Sequence, residues 1–600
     1  MKKITIFIVL ILPFLSFAQE TDTDTENNTV FSQFLNNLSG NLETNAQWYT
    51  NDSKLGAFED PIAEFDLRDE QVRVNSYLRL DYNFLKNFSV GLQAESYEPL
   101  PLINYYPEYN DTQIATYYAN FRNKTLDVTA GYFYEQFGSG VLLRAFEERQ
   151  LGLNTALRGG RIKYTPTDYL DVTALYGQQR VAFDVSESDI FGFDANFDIS
   201  KVIEIKGVNR LNLGLSYVGK KEDFTPPVDE FDPSYEFDTT DFPEMINSYS
   251  ARLDVDFGNV YFKTEYALKG EDVSFIPPAL PGTGVIEGKY FDGNALIFTA
   301  GYSKKGLGIS STFRRLENMV STAERNAKDI SSLEFQFNMQ NLNYLPTLTK
   351  QQDYSLANIY IYNVQPGLFL QNFGGQAGEI GNIVDVFYNF KKGSTLGGKY
   401  GTKFTANFAY WALLDAEFDQ AESTYSAEFL KFGKRLNRDF NFEVRKKLSK
   451  NWSSIFTYIN SIVDKGVALG GNLGTDGDIK SQVAIVDVTH KLDSGKSIRM
   501  EAQHLWTKQD RKNWVGGTIE YVANRRLAFY VSDIYDYGND NEFSTETKAH
   551  YYNVGGSYTK GATRIALNYG RQRGGLLCVG GVCRIVPENT GLTLNLSTSF

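Results

Sequence analysis

The chain ends in Gly591–Phe600, "GLTLNLSTSF", and the fold turns on how these residues alternate. Leu592, Leu594, Leu596, Thr598 and Phe600 share one phase, while Thr593, Asn595, Ser597 and Ser599 share the other. A period of two places one set on an apolar face and the other on a small, polar face, which is a strand and not a helix. The pattern recurs upstream. Ile565, Leu567 and Tyr569 alternate with Arg564, Ala566 and Asn568, and Leu78, Leu80, Tyr82 and Phe84 alternate with Arg79, Asp81 and Asn83. Phe88, Val90, Leu92 and Ala94 follow against Ser89, Gly91, Gln93 and Glu95. These runs last about ten residues, the length that crosses a bilayer at a tilt, whereas strands of soluble sandwiches average five or six.

The connections alternate in kind. Short turns fall at Leu85-Lys86-Asn87, Arg122-Asn123-Lys124, Gly258-Asn259, Lys304-Lys305-Gly306, Ser449-Lys450-Asn451, Asn524-Arg525-Arg526 and Thr559-Lys560-Gly561, and all but Gly258-Asn259 carry Lys or Arg. Between them lie long acidic stretches such as "EDFTPPVDEFDPSYEFDTTDFPEM" and "DYGNDNEFSTETKA". Short turns on one side and long loops on the other is the asymmetry of outer-membrane barrels, whose short turns face the periplasm. The expected fold is therefore all-β, a large transmembrane antiparallel barrel of about two dozen strands over residues 38–600. A lumen that wide is not filled by wall side chains, so plug-like segments should fold inward. Two non-alternating stretches are candidates, Phe137–Arg161 and Pro346–Asn382.

Composition agrees. The 600 residues include 38 Tyr, 44 Phe and 51 Gly with only 2 Cys, and the net charge is −14. Mean hydropathy is −0.34. The N-terminus, "MKKITIFIVLILPFLSFAQE", has two lysines, an apolar run too short to span a bilayer, and small residues before Gln19. That predicts a signal peptide over 1–18, cleaved after Ala18, followed by an acidic periplasmic lead-in over 19–37. The acidic balance and lack of a basic stripe argue against nucleic acid.

Catalysis has little support. The three histidines, His490, His504 and His550, have no Ser, Cys or Asp placed near them in a recognisable motif, so no enzyme is expected and no catalytic residue is assigned. No cofactor is expected, and no metal beyond a weak calcium candidate. Asp476 and Asp478 in "GTDGDIK", and Asp540 and Glu542 in "YGNDNEF", place carboxylates on Gly-bearing turns without completing a calcium-loop signature. The densest charge lies in the first inward candidate, where Arg144, Glu147, Glu148, Arg149, Arg158 and Arg161 fall close together. Opposed charge at a lumen constriction sorts solutes; the same charges also suit an internal salt-bridge network that only holds the segment.

Two stretches, "FYEQFGSGVLLRAFEERQLGLNTALRGGRI" (133–162) and "GLLCVGGVCRIVPENTGLTLNLSTSF" (575–600), resemble an outer-membrane barrel family of Bacteroidetes with no assigned function. The resemblance spans most of the chain after the signal peptide and implies location and architecture, not activity. The terminal strand also resembles the signal read by the barrel-assembly machinery, with Leu596 and Phe600 as its key positions. Function then divides into two classes. One is a partly plugged channel or transporter for a polar or amphipathic solute. The other is a non-conducting barrel acting as partner or scaffold in an envelope complex for secretion, surface anchoring or gliding.

Cys578 and Cys583 are placed by the same logic. With Phe600 at the periplasmic end, the preceding loop is extracellular, and an exported protein meets an oxidising compartment. Gly580-Gly581 suits a two-residue hairpin turn closed by Val579 and Val582. Cys578 then faces Cys583 at the next rung, within disulfide range. A stapled loop tip is expected.

Overall fold

The computed structural model describes residues 36–52, 54, 71–98, 111–223, 235–238, 243–274, 284–287, 289–324, 341–368, 375–419, 424–468, 477–540, 548–579, 582–586 and 588–600. Its architecture is a closed barrel of 24 antiparallel strands, from Leu38–Tyr49 to Asn589–Ser599. Each wall strand pairs with its neighbours in sequence, and the first closes onto the last in the register Asn41↔Ser599 to Tyr49↔Gly591. Gly40 and Phe600 extend this seam with reciprocal backbone hydrogen bonds of 2.9 and 3.0 Å. The seam is tight: a Cβ at Gly591 would lie 2.1 Å from the Trp48 carbonyl oxygen, so only glycine fits.

Closure explains why such a chain tolerates hydrocarbon. Every wall strand has a partner on both sides, so no row of peptide groups is left open at an edge. The outward phase leaves large apolar side chains exposed, among them Leu592, Leu594, Ile565, Leu567, Val531 and Ile519. They form an apolar belt edged by aromatics. At the tight-turn end Phe88 packs on Phe121 with ring centres 4.8 Å apart, Tyr388 on Phe390 at 4.7 Å, and Trp452 on His490 at 4.1 Å. At the opposite end Tyr535 stacks on His550 at 3.9 Å.

The two ends differ as the sequence requires. Residues 86–87, 258–259, 305–306 and 561–562 make minimal turns at the end that holds residue 38 and Phe600. Longer connections, 199–207 and 391–401, also lie at this end, and periodicity had not marked them as turns. At the other end a parallel pairing joins Tyr235–Asp238 to Gly284–Glu287. A separate hairpin there pairs Gly575–Val579 with Val582–Val586.

Two segments leave the wall and enter the lumen. The first runs from 134 to 156, between wall strands Leu126–Phe133 and Leu157–Thr167. The second comprises the described residues 318–324, 341–368 and 375–377, between Leu307–Glu317 and Gly378–Phe390. Both inward stretches read from sequence therefore need trimming. Residues 157–161 and 378–382 belong to wall strands, and 318–324, which sequence had left out, is part of the second segment. The alternation in 157–161 is hidden by Gly159 and Gly160, which present no side chain to either face.

Candidate functional site

The first inward segment is built from tight local structure. Residues 137–143 form a loop closed by Phe137 N–H donating to Leu143 O at 3.1 Å. A two-residue hairpin, Glu147–Glu148 against Leu153–Asn154, then folds over a turn at Arg149–Leu151. Gly152 ends that turn with φ of 64°, a conformation glycine adopts without strain. Apolar side chains on this frame point at the wall. Phe137, Val141, Leu142 and Leu143 are buried with Leu175, Ile190, Val218, Ala267, Ala295 and Leu316 from strands around the barrel. Leu151 and Leu153 pack with Tyr77, Tyr97 and Val181.

The described part of the second segment packs on the wall in the same way. Tyr354, Leu356, Ile359 and Tyr360 are buried against Ile459, Val463, Ile479, Val483, Leu505 and Trp514, and Tyr362 stacks on Trp411 with ring centres 5.9 Å apart. The segments also hold each other. Arg144 N–H donates to Leu342 O at 2.8 Å, Tyr344 N–H to Gly140 O at 3.1 Å, and Asn343 Nδ2 to Val141 O at 2.8 Å. The Arg144 guanidinium lies 5.3 Å from the Phe146 ring centre and 5.4 Å from that of Tyr344. Together they make one plug.

Long basic side chains moor the plug to the wall. Lys220 Nζ donates to Thr322 O at 2.9 Å and Lys269 Nζ to Val320 O at 2.8 Å. Arg314 donates to Pro346 O and to Glu379, both at 2.8 Å. Glu379 also accepts from the Gln365 N–H at 2.9 Å and from the Tyr362 hydroxyl. Burial, and then the neighbouring carboxylate, push the Tyr362 phenol well above its ordinary pKa, so it stays a donor.

The electrostatics of the lumen change along the axis. Three inward ion pairs at plug level are dry: Arg180–Glu95, Lys220–Glu222 and Arg314–Glu379 all have side chains at most 2% exposed. Towards the tight-turn end the inward cations are wet, with Arg445 56%, Arg79 42% and Lys163 40% exposed, each still paired to a carboxylate. The lumen lining thus changes from solvent-exposed paired charges towards the tight-turn end, a cup, to buried paired charges beside the plug. Charges at 0–2% exposure persist only when each has its partner.

The family model of DUF6029, a family of unknown function, matches residues 1–600. The chain belongs to that family. Solved structures similar to this DUF6029 protein include a mutant of the ferric enterobactin receptor PfeA from Pseudomonas aeruginosa, at 10% identity and TM-score 0.37, covering 94% of this chain and 80% of the receptor. The P pilus usher PapC translocation pore matches at 9% identity and TM-score 0.38, covering 94% of this chain and 99% of the usher. The copper transporter OprC matches at 9% identity and TM-score 0.38, covering 94% and 80%. No curated protein matches the sequence.

In this DUF6029 protein the six charged residues singled out from sequence divide between plug and wall. Arg144 joins the two plug segments, as described. Arg149 reaches Glu43 and Gln93 at 2.9 Å each and Glu147 at 3.1 Å, and lies over Tyr77. Glu148 accepts from the Gln150 N–H at 3.1 Å, closing the turn. Arg158 and Arg161 lie on the wall strand Leu157–Thr167, where Arg161 donates to Tyr134 O and Thr129, both at 3.1 Å. These contacts tie the segment to the wall.

Of the calcium candidates, Asp478 pairs with Arg435 and Asp540 with Lys512, while Asp476 and Glu542 lie outside the described residues. Among the described residues no group of three or more His, Cys, Asp or Glu is arranged to hold a metal. Cys578 and Cys583 are register partners, one rung beyond Val579 and Val582. The signal peptide and most of the lead-in also lie outside the described residues. Sequence reading missed the moorings Lys220, Lys269 and Arg314. Their only signal is a long basic residue on the inward phase near the long-loop end of a strand.

Proposed function

We propose that this DUF6029 protein is an outer-membrane conduit for a polar or amphipathic solute, held shut at rest by its own two inward segments. The observation that supports this reading is the change in lumen lining, from exposed paired charges in the cup to buried paired charges and apolar packing at the plug. A solute-binding vestibule with a closed far end is what a gated path requires. A second reading has its own support. Each plug segment continues into wall strands at both ends, so neither can leave the lumen as a unit. That favours a non-conducting barrel that works through its surfaces, as partner or scaffold in an envelope complex.

Single-channel recording in planar bilayers separates the two. The conduit reading expects wild-type protein to be mostly closed with brief openings, and a variant with residues 137–154 replaced by a short Gly-Ser linker to conduct steadily. Wild-type protein that never opens, beside a conducting deletion variant, would support the scaffold reading. We also propose export through the 1–18 signal peptide, Leu596 and Phe600 as the assembly signal, and a Cys578–Cys583 disulfide on the extracellular hairpin.

A further inference from the structure

The tight-turn end is electrically lopsided. Four consecutive turns there, within 304–307, 390–402, 446–452 and 490–497, contain ten lysines and a single carboxylate, Asp493, in a chain of net charge −14. The turns within 166–171, 197–208 and 254–260 instead carry Asp168, Asp171, Asp198, Glu204, Asp254 and Asp256 against Lys201 and Lys206. At the centre of the basic sector are Lys391, Lys392, Lys399, Lys446, Lys447 and Lys450, none of which forms an ion pair with another of the described residues. Unpaired like charges crowded into one sector repel one another, so the arrangement is costly unless an anion occupies it.

The sector has a built frame. Loop 391–401 is closed by Gly393 N–H to Gly398 O at 2.7 Å and Gly398 N–H to Ser394 O at 2.8 Å. Ser394 Oγ donates to Lys391 O at 2.7 Å and Thr402 Oγ1 to Leu396 O at 2.8 Å. The frame holds Leu396 out at its tip, 62% exposed among the lysines. Lys399 and Lys447 bracket the Tyr400 ring, at 5.8 and 5.2 Å from its centre. Tyr388, Leu448 and Trp452, each exposed on the apolar belt, border the same lysines. Ammonium groups beside a Tyr/Trp girdle lie at the depth of lipid phosphates.

We infer that this basic sector is a binding surface for anionic phospholipid headgroups in the leaflet at the tight-turn end. The inference rests on the outer-membrane reading. The border with the apolar belt selects lipid over a soluble acidic protein, which would need no contact with the belt. Each lysine near an anionic surface contributes roughly a five-fold preference, so several together select anionic lipid from a zwitterionic excess.

The test reconstitutes full-length protein into nanodiscs of phosphatidylethanolamine and phosphatidylglycerol and quantifies the lipids that stay bound on gentle extraction. Wild-type protein should retain phosphatidylglycerol above its bulk fraction, with less retained at high salt and no displacement by inorganic phosphate. The variant Lys391→Gln/Lys392→Gln/Lys399→Gln/Lys447→Gln should lose most of that enrichment. The variant Lys86→Gln/Lys124→Gln/Lys201→Gln/Lys206→Gln, with the same change in charge, should keep it. Heat-dependent gel mobility establishes that both variants are folded. Equal retention by wild type and the first variant would overturn the inference, as would an acidic protein co-purifying with wild type in place of lipid. Failure to insert into any bilayer would instead overturn the membrane reading.

Discussion

The Arg180–Glu95 pair offers the sharpest perturbation of the seal. Arg180 ends the wall strand Leu170–Val181 and reaches Glu95 on Phe88–Glu98, with several strands between them around the wall. Its guanidinium donates to both Glu95 carboxylate oxygens, at 3.0 and 2.6 Å, and to Ala182 O at 2.6 Å. Both side chains are at most 1% exposed. Glu95→Leu keeps the approximate shape and removes the counter-charge. The guanidinium cannot shed its proton at any working pH, so it is left as an uncompensated buried cation. Removing one partner of such a pair costs about 3–5 kcal/mol. In an open lumen water would reach Arg180, so the cost falls on the closed state. At 1.4 kcal/mol per decade the closed-to-open ratio should fall by roughly 10² to 10⁴. Single-channel recording of Glu95→Leu should show long openings where wild type shows brief ones. Arg180→Met added to Glu95→Leu removes the stranded charge and should restore closure. Unchanged closed times in Glu95→Leu, or a double variant as leaky as the single, would refute a role for this dry pair in closure.

Three further outcomes are expected. A Cβ at Gly159 would lie 2.0 Å from Tyr176 O in the adjacent strand, so Gly159→Ala should lower the temperature of the heat-dependent gel shift, at a cost of about 1–3 kcal/mol. Asp52 pairs with Arg571 and accepts from Thr590; burial raises its pKa, but these bonds and the Lys54 N–H hold it below the ordinary 3.8. That stabilisation is present above 3.8 and lost as pH falls further, so the melting-point advantage of wild type over Asp52→Asn should shrink on acidification; a pH-independent difference would refute it. Mass spectrometry of protein isolated from the outer membrane should find no free thiol at Cys578 or Cys583 before reduction.

The wall was legible because one physical rule governs it. Alternation such as Leu592/Thr593/Leu594 reports two media on two faces, and closure follows from the need to pair every edge. The minimal turns were legible for the same reason. The plug was only half legible. Its charges stood out, but 318–324 did not, since short backbone segments held by Lys220 and Lys269 leave no periodic trace. The wall residues 378–382 were misread because Gly378 and Gly381 break the apolar rhythm. The basic loop 391–401 was passed over because its order comes from internal hydrogen bonds of Ser394 and Thr402, not from a dipeptide turn signal.

The sidedness of the cup tests the central claim, that the chain's own plug closes the lumen. In a Cys578→Ala/Cys583→Ala background, Arg445→Cys places a thiol on the exposed cup lining. In vesicles of known orientation a membrane-impermeant maleimide should label it from the tight-turn side only, and from both sides once residues 137–154 are replaced by a linker. Labelling of the intact plugged protein from the long-loop side would contradict the account.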